Sequence, residues 1–247
     1  MVTAYDERLF VFSETLNAQS NANAMWTVLN SELARYGFSG ATYAAFPALR
    51  AGGVSKEMLH YSSYDEKFVS LYVEQQLADD DYAVLHCMND ERPALWSGIQ
   101  DRYSTPRQML FNEIAKDYHL HEGLIIPFRE ETGFVLGGIG LAIAPEHEAD
   151  VLSQLGDTRH LIIGLCSAFD QRIKSPQVLK DALHLTQRHL ECLRYLCLGL
   201  TDKEIAARTG LSVKTVENYI GVAMKRIKAR NRHHATAKAI VLGLVTI

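Results

Sequence analysis

Residues 185–232, LTQRHLECLRYLCLGLTDKEIAARTGLSVKTVENYIGVAMKRIKARNR, decide how the chain is read. Three short helical patterns follow one another, each with its own start signal. Thr186 precedes the periodic apolar set Leu190, Leu193, Leu196 and Cys197, so it reads as an N-cap whose hydroxyl accepts an orphan backbone N–H. Gly199 ends that helix in the left-handed conformation that glycine adopts without steric penalty. Thr201 opens the next helix, and Glu204 three residues on completes a capping box. Ile205 and Ala206 supply its buried side, and Gly210 stops it within about two turns. Ser212 caps a third helix predicted to run to about Lys228.

On that third helix, at about 100° per residue, Val216, Ile220, Ala223 and Ile227 share a narrow arc and point to a core. Lys214, Asn218, Gly221, Lys225 and Lys228 fall opposite. That face holds cations for phosphates, an amide for base edges and a glycine for close approach. A short helix, a glycine-containing turn and a longer second helix make a helix-turn-helix. An exposed lysine face alone more often means a solvated surface. Here the caps and breaks come in the order the motif needs, and the charge is segregated. Residues 177–247 hold 12 Lys and Arg against 5 Asp and Glu, a net +7, on a chain whose net charge is −4. A basic module on an acidic chain is the electrostatic footprint of a polyanion partner, here double-stranded DNA. Thr201, Ser212, Thr215, Glu217 and Arg226 complete the candidate DNA-facing set.

The whole stretch resembles the DNA-binding domain of LuxR/FixJ-type regulators. The matching residues are Leu185-Thr186, Arg188, Leu193, Gly199, Thr201, Glu204-Ile205-Ala206, Ser212, Lys214-Thr215-Val216 and Lys225 to Ile227. One position departs: the family's glutamate after the first-helix arginine is His189 here. The first capping box is therefore expected to lack its carboxylate, at some loss of stability.

The 247 residues suit one large or two ordinary domains, and 47% apolar content supports a core in each. No apolar run reaches the roughly 18 residues of a membrane span. The start, MVTAYDERLF, lacks a basic-then-apolar signal region, so a cytoplasmic location is expected. Cys87, Cys166, Cys192 and Cys197 have no CxxC spacing, and Cys192 and Cys197 read as core thiols. The histidines show no metal-ligand spacing, and His233-His234 is expected beside DNA or solvent. No nucleophile elbow, phosphate loop or metal cluster supports an enzyme. His119 and His121, with Asp117 and Glu122, read as a surface loop.

Upstream, 5–36 reads as two helices with Trp26, Leu29 and Leu33 on one face of the second. Strands are expected over 40–46 and 58–61, helices over 64–76 and 105–118, and a short helical stretch after Asp79-Asp80-Asp81. A loop around Pro93 leads to Trp96. GLIIPF (123–128) and GFVLGGIGLAIA (133–144) are the clearest strands, separated by a turn over 129–132, and a long helix runs from about Pro145 to Ile173. The polar Lys174-Ser175-Pro176-Gln177 reads as the linker. The expected fold is α+β. An N-terminal α/β/α sandwich with a central antiparallel sheet (1–173) is followed by a linker (174–183) and a C-terminal four-helix helix-turn-helix domain (184–247).

A phosphoacceptor controller needs an acidic pair after a first strand, an aspartate ending a later parallel strand and a distal lysine, and that order is absent. Tyr64, Phe68, Tyr72, Asp81, Trp96 and Gly123, at intervals of 4, 4, 9, 15 and 27 residues, instead resemble the autoinducer-binding domain of LuxR-type quorum-sensing receptors. The resemblance implies a small amphiphilic signal such as an N-acyl-homoserine lactone, no other cofactor, and a homodimer on operator DNA. It implies that Asp81 accepts the ligand amide N–H and Tyr64 donates to the acyl carbonyl. Tyr72, Trp96, Val84, Phe111 and Ile125 would wall the site, with Gly123 giving close backbone approach. Two positions depart from the pattern. The family's lactone-binding tryptophan is Phe68, which has no donor, and its proline after the aspartate is Tyr82. A ligand-independent regulator of the same architecture is the alternative. The last apolar set, Ala239, Ile240, Val241 and Leu244, fits either a dimer seam or a core face.

Overall fold

The computed structural model describes residues 4–47, 59–100, 102, 105–129 and 135–246. The chain divides into two compact units, Met1–Ala18 with Ala24–Asp170 and Gln19–Asn23 with Gln171–Ile247. The elements in order are α1 (Ala4–Asn17), α2 (Ala22–Ala34), β1 (Phe38–Pro47), β2 (Leu59–Ser62), α3 (Glu66–Glu74), α4 (Tyr82–Asn89), β3 (Ala94–Leu95), α5 (Ser97–Gln100) and α6 (Pro106–Asp117). Then come β4 (Gly123–Arg129), β5 (Val135–Ile143), α7 (Glu148–Ile173), α8 (Pro176–Ala182), α9 (Gln187–Cys197), α10 (Asp202–Thr209), α11 (Val213–Arg226) and α12 (Arg232–Val241). Of the expected features, Met58, the glycine loop at 51–53 and the turn after Arg129 lie outside the described residues. None of the described helices is long and apolar enough to cross a membrane.

The five strands form one antiparallel sheet in the order β2-β1-β5-β4-β3. Alternation sends successive side chains to opposite faces. Tyr43, Phe128, Leu124 and Ile139 point one way, toward α7 and α2. There Tyr43 stacks edge-on against Phe169 at 5.2 Å and donates to Asp170 Oδ1 at 2.8 Å, and Trp26 meets Phe169 at 5.5 Å. Thr42, Ala44, Ile125, Gly138, Gly140 and Ala142 take the other face, under α3, α4 and α6. With helices on both faces, β4 is buried along nearly its whole length, as near-continuous apolar strands are. Pro127 is tolerated because β3 pairs only with Leu124 and Ile125, so the lost N–H falls where the strand is an edge.

In the second unit α9, α10 and α11 close on Cys192, Ile205, Ala206, Val216 and Ile220. Gly210, at φ +69°, makes the turn between α10 and α11. Within the stretch 174–177, expected as a linker, a helix begins at Pro176. Pro176 sits at the first position of α8, where its missing N–H has no partner to lose, and Val178 and Leu179 are buried. The two-residue strand β3 and the helical turn α5 replace the expected loop before and after Trp96. The candidate dimer seam divides: Ala239 and Leu244 are buried, Val241 is half-buried and Ile240 is exposed.

Candidate functional site

The sheet face under α3, α4 and α6 bounds a cavity of about 530 Å³. Its floor is β5, where Gly138 and Gly140 leave the strand bare, beside Thr42 and Ala44 of β1. Tyr64, Phe68, Tyr72, Asp81, Val84, Trp96, Phe111 and Ile125 all line it, so the spacing read from the sequence converges in space. Gly123 does not. A side chain there would stand 2.5 Å from Trp96 Cε2 and 2.3 Å from the Leu141 carbonyl, so its bareness seats the indole instead of touching the cavity.

Asp81 caps α4, with Oδ1 accepting from Ala83 N at 2.8 Å and from Val84 N at 3.4 Å. Its Oδ2 accepts from the Tyr72 hydroxyl at 2.9 Å. Burial raises the carboxyl to about pKa 6, while the bonds from Ala83, Tyr72 and Val84 pull the other way. Burial and the Asp81 charge hold the Tyr64 and Tyr72 phenols well above their usual range, so both stay protonated donors. The acidic triplet divides its labour. Asp80 pairs with Arg107 at 2.7 Å, Asp79 is exposed on a single 3-10 turn, and only Asp81 turns inward with its caps.

Tyr64 donates to the Gly140 carbonyl at 3.1 Å. Phe68 is buried among Tyr64, Tyr72 and Tyr118, with ring centroids 6.1, 6.0 and 5.3 Å away. Tyr82, at the position where proline was expected from the resemblance, is buried and packs edge-on to Phe111 and Trp96. Its hydroxyl accepts from Gln100 Nε2 at 3.2 Å. Glu122 departs from the surface loop expected around His119 and His121, both of which are exposed. Its carboxylate is buried and accepts from Gly123 N at 2.8 Å and Ser97 N at 3.2 Å, bracketing Trp96. Sequence reasoning missed His60, Thr42, Ala44, Cys87, Leu120 and the two floor glycines. The glycines were legible, since 138 and 140 alternate on one face of a predicted strand; the others carried no signal.

On α11, Lys214, Glu217, Asn218 and Lys225 are exposed along one side, and Gly221 between them has open space where a side chain would stand. Val216, Ile220, Ala223 and Ile227 are buried opposite. Thr201 and Ser212 spend their hydroxyls on caps, Thr201 toward Glu204 and Ser212 toward Thr215. Arg226 leaves the exposed face. It lies about 120° around the helix from Lys214, is half-buried, and donates to the His184 carbonyl. Lys228 lies past the last helical residue, at φ +50°. The Lys238 ammonium, buried, donates to the carbonyls of Ile227 at 3.0 Å and Lys228 at 3.3 Å and so closes the end of α11. Arg232 pairs with both oxygens of Asp202, at 2.5 and 2.7 Å, and ties α12 to α10.

The capping box of α9 is present after all. Thr186 N donates to His189 Nδ1 at 2.9 Å, so the neutral imidazole does what a glutamate carboxylate would. Because a backbone N–H can only donate, Nδ1 is the unprotonated nitrogen. The ring stands edge-on to Tyr219 at 5.4 Å, and burial and Arg226 lower its pKa. His234 Nδ1 accepts from Arg230 N at 3.3 Å, and His233 is exposed.

Residues 21–173 match the autoinducer binding domain family, and residues 183–239 match the luxR family of bacterial regulatory proteins. The transcriptional activator protein AnoR of Acinetobacter nosocomialis is 26% identical over 227 residues, 91% of this chain and 93% of its own. TraR of Agrobacterium vitis, also a transcriptional activator protein, is 25% identical over 215 residues, 85% of this chain and 87% of its own. The crystal structure of Escherichia coli SdiA superposes with a TM-score of 0.56 at 17% identity, over 98% of this chain and 99% of that one, and so shares the fold. The chain belongs to the LuxR family of quorum-sensing transcriptional regulators, with an autoinducer-binding domain ahead of a helix-turn-helix DNA-binding domain, and is not an enzyme.

Proposed function

We infer that residues 1–173 take an N-acyl-homoserine lactone or a related amphiphile, and that 184–247, joined through 174–183, bind operator DNA as a homodimer in the cytoplasm. The observation that carries this reading is the composition of the cavity. It is large enough for a small-molecule ligand, mostly apolar, and has the Asp81 carboxylate among its polar lining groups, which is how such sites fix an amphiphile. Asp81 Oδ2 has a lone pair left for an amide N–H. The acyl chain runs among Val84, Cys87, Phe111, Leu120 and Ile125, and the acyl carbonyl lies over the Gly138–Gly140 floor beside Tyr64.

For DNA, Asn218 reads a base edge in the major groove, Lys214 and Lys225 hold phosphates, and Gly221 lets the helix come close. Thr201 and Ser212 act through the helix N-termini they cap, and Arg226 orients α11. Half-sites about one helical turn apart would mirror the two-fold dimer. The test is mass spectrometry of small molecules released from the purified protein, with promoter-fragment binding measured before and after adding N-octanoyl-homoserine lactone. A released or added acyl amide that changes DNA affinity supports the reading. Full DNA binding with no released molecule and no response identifies a ligand-independent regulator instead.

A further inference from the structure

We propose that the indole N–H of Trp96, and no donor at position 68, holds the amide oxygen of the bound acyl chain. The proposal rests on the acyl-amide reading above and sets which part of the ligand is recognised. Several of the polar side chains around the cavity already have partners within the fold. Asp81 takes Ala83, Val84 and Tyr72; Tyr64 donates to the Gly140 carbonyl; Tyr82 takes Gln100. Trp96 Nε1 is buried without a hydrogen-bond partner, on a side chain that is 4% exposed. The other unpartnered buried polar atoms among the described residues, on Asn112 and Arg172, belong to side chains that do not line the cavity. A buried donor left unmade is unfavourable, and a ligand oxygen removes that penalty.

The indole is also fixed in advance. Trp96 N donates to the Gly123 carbonyl at 2.9 Å, Tyr82 packs edge-on at 6.4 Å, and the bare Gly123 seats Cε2, the carbon that carries Nε1. Where a side chain on Gly140 would begin, Tyr64 Oη stands at 3.6 Å and Trp96 Cζ2 at 3.8 Å, so both rings bound the space over the floor. A carbonyl there would meet Trp96 without breaking an existing bond, whereas Tyr64 would first have to leave Gly140. Phe68 offers a head-group carbonyl nothing. The ligand class is therefore a fatty-acyl amide whose head group needs no carbonyl.

The test is calorimetric titration of the full chain and of Trp96→Phe with two probes. One is N-octanoyl-homoserine lactone; the other is N-cyclopentyloctanamide, which keeps the acyl amide and a five-membered ring but has no lactone oxygens. The wild type should bind both within about threefold, and Trp96→Phe should weaken both by about tenfold. In wild-type proton–nitrogen spectra the indole signal that Trp96→Phe removes should move downfield on saturation with either probe, a readout that does not depend on the variant's packing. Undiminished affinity in a folded Trp96→Phe, or an unmoved indole signal, overturns the donor assignment and leaves the acyl-amide reading standing. A wild-type preference for the lactone above about tenfold, the worth of one further hydrogen bond, overturns the claim about the head group. Wild-type binding of neither probe overturns the acyl-amide reading and the proposal with it.

Discussion

The cavity and the exposed face of α11 present polar groups in opposite states. In the cavity, Asp81, Tyr72 and Tyr64 are bonded to one another or to backbone before anything arrives. On α11, Lys214, Asn218 and Lys225 stand in solvent. The reason is dielectric. A buried polar group must find a partner in the fold or raise the free energy of the native state, while an exposed one is satisfied by water. A ligand entering the cavity therefore exchanges bonds, and steric and protonation changes there should act strongly. A duplex meeting α11 displaces water, and each contact should act modestly.

The largest effect expected follows from the bare floor. A Cβ on Gly140 stands in ordinary van der Waals contact with Thr42, Tyr64 and Trp96, and the methyl groups of Gly140→Val extend from it over the floor. The substitution should leave the unit folded, as judged by its thermal transition, and weaken N-octanoyl-homoserine lactone by at least about a hundredfold, the scale of a blocked buried contact. Retained affinity would show that the floor is not where the ligand lies.

Asp81→Asn comes next. Losing a charge-assisted bond should weaken the same probe by about ten- to a hundredfold. Asn keeps the N-cap, so the change isolates charge. The folded pKa, about 6, lies above the ordinary carboxylate value. The wild-type apo unit should therefore lose stability as pH rises from about 4 through 6. The variant should gain on it as pH rises through 6, by about 3 kcal/mol in all. Wild-type ligand affinity should fall as pH drops below about 6, because a ligand that prefers the carboxylate lowers its pKa. Melting curves from pH 4 to 8, with and without ligand, check both signs; a variant less stable than wild type at pH 8 would break the contrast.

On the other side of the comparison, Asn218→Ala should cost about 1–3 kcal/mol of binding and relax sequence preference at one base pair. Lys214→Ala should weaken all sequences alike and reduce the salt slope by about one. Fluorescence anisotropy over a salt series separates the two, and identical behaviour would undo the assignment of roles.

The smallest effect tests His189. Removing the cap with His189→Ala should destabilise the C-terminal unit by about 1 kcal/mol. In the wild type, a folded pKa below the usual histidine value means the contribution is present above about pH 6.5 and is lost as pH falls. Urea melts at pH 8 and pH 5 read it; equal losses at both would show that Nδ1 is not the acceptor.

The helix-turn-helix was legible because its determinants are local. Thr201, Glu204, Gly210 and Ser212 act within one or two turns, and the segregation of Lys214, Asn218 and Lys225 from Val216, Ile220 and Ala223 follows from helical periodicity alone. The same arithmetic sets Arg226 off that face, where it donates to the His184 carbonyl. His189 was misread because an imidazole nitrogen reaching back to Thr186 N depends on a tautomer that the sequence does not state. The cavity residues were legible only as an order of aromatic and acidic types. Nothing in that order separates Gly123, which seats Trp96, from Gly140, which forms the floor.

What the sequence by itself determined is the set of local devices: the caps, the breaks, the apolar runs of β4 and β5, the apolar seam of α11 and the net positive charge of its unit. These depend on dihedral preference and periodicity over a few residues. What only the tertiary structure decided is which side chains are spoken for. That Tyr72 holds Asp81, that Glu122 is buried beside Trp96, that Lys238 closes α11 and that the Trp96 N–H has no partner all depend on groups far apart in the chain meeting within hydrogen-bond distance, because burial makes each polar group's satisfaction a property of the whole fold.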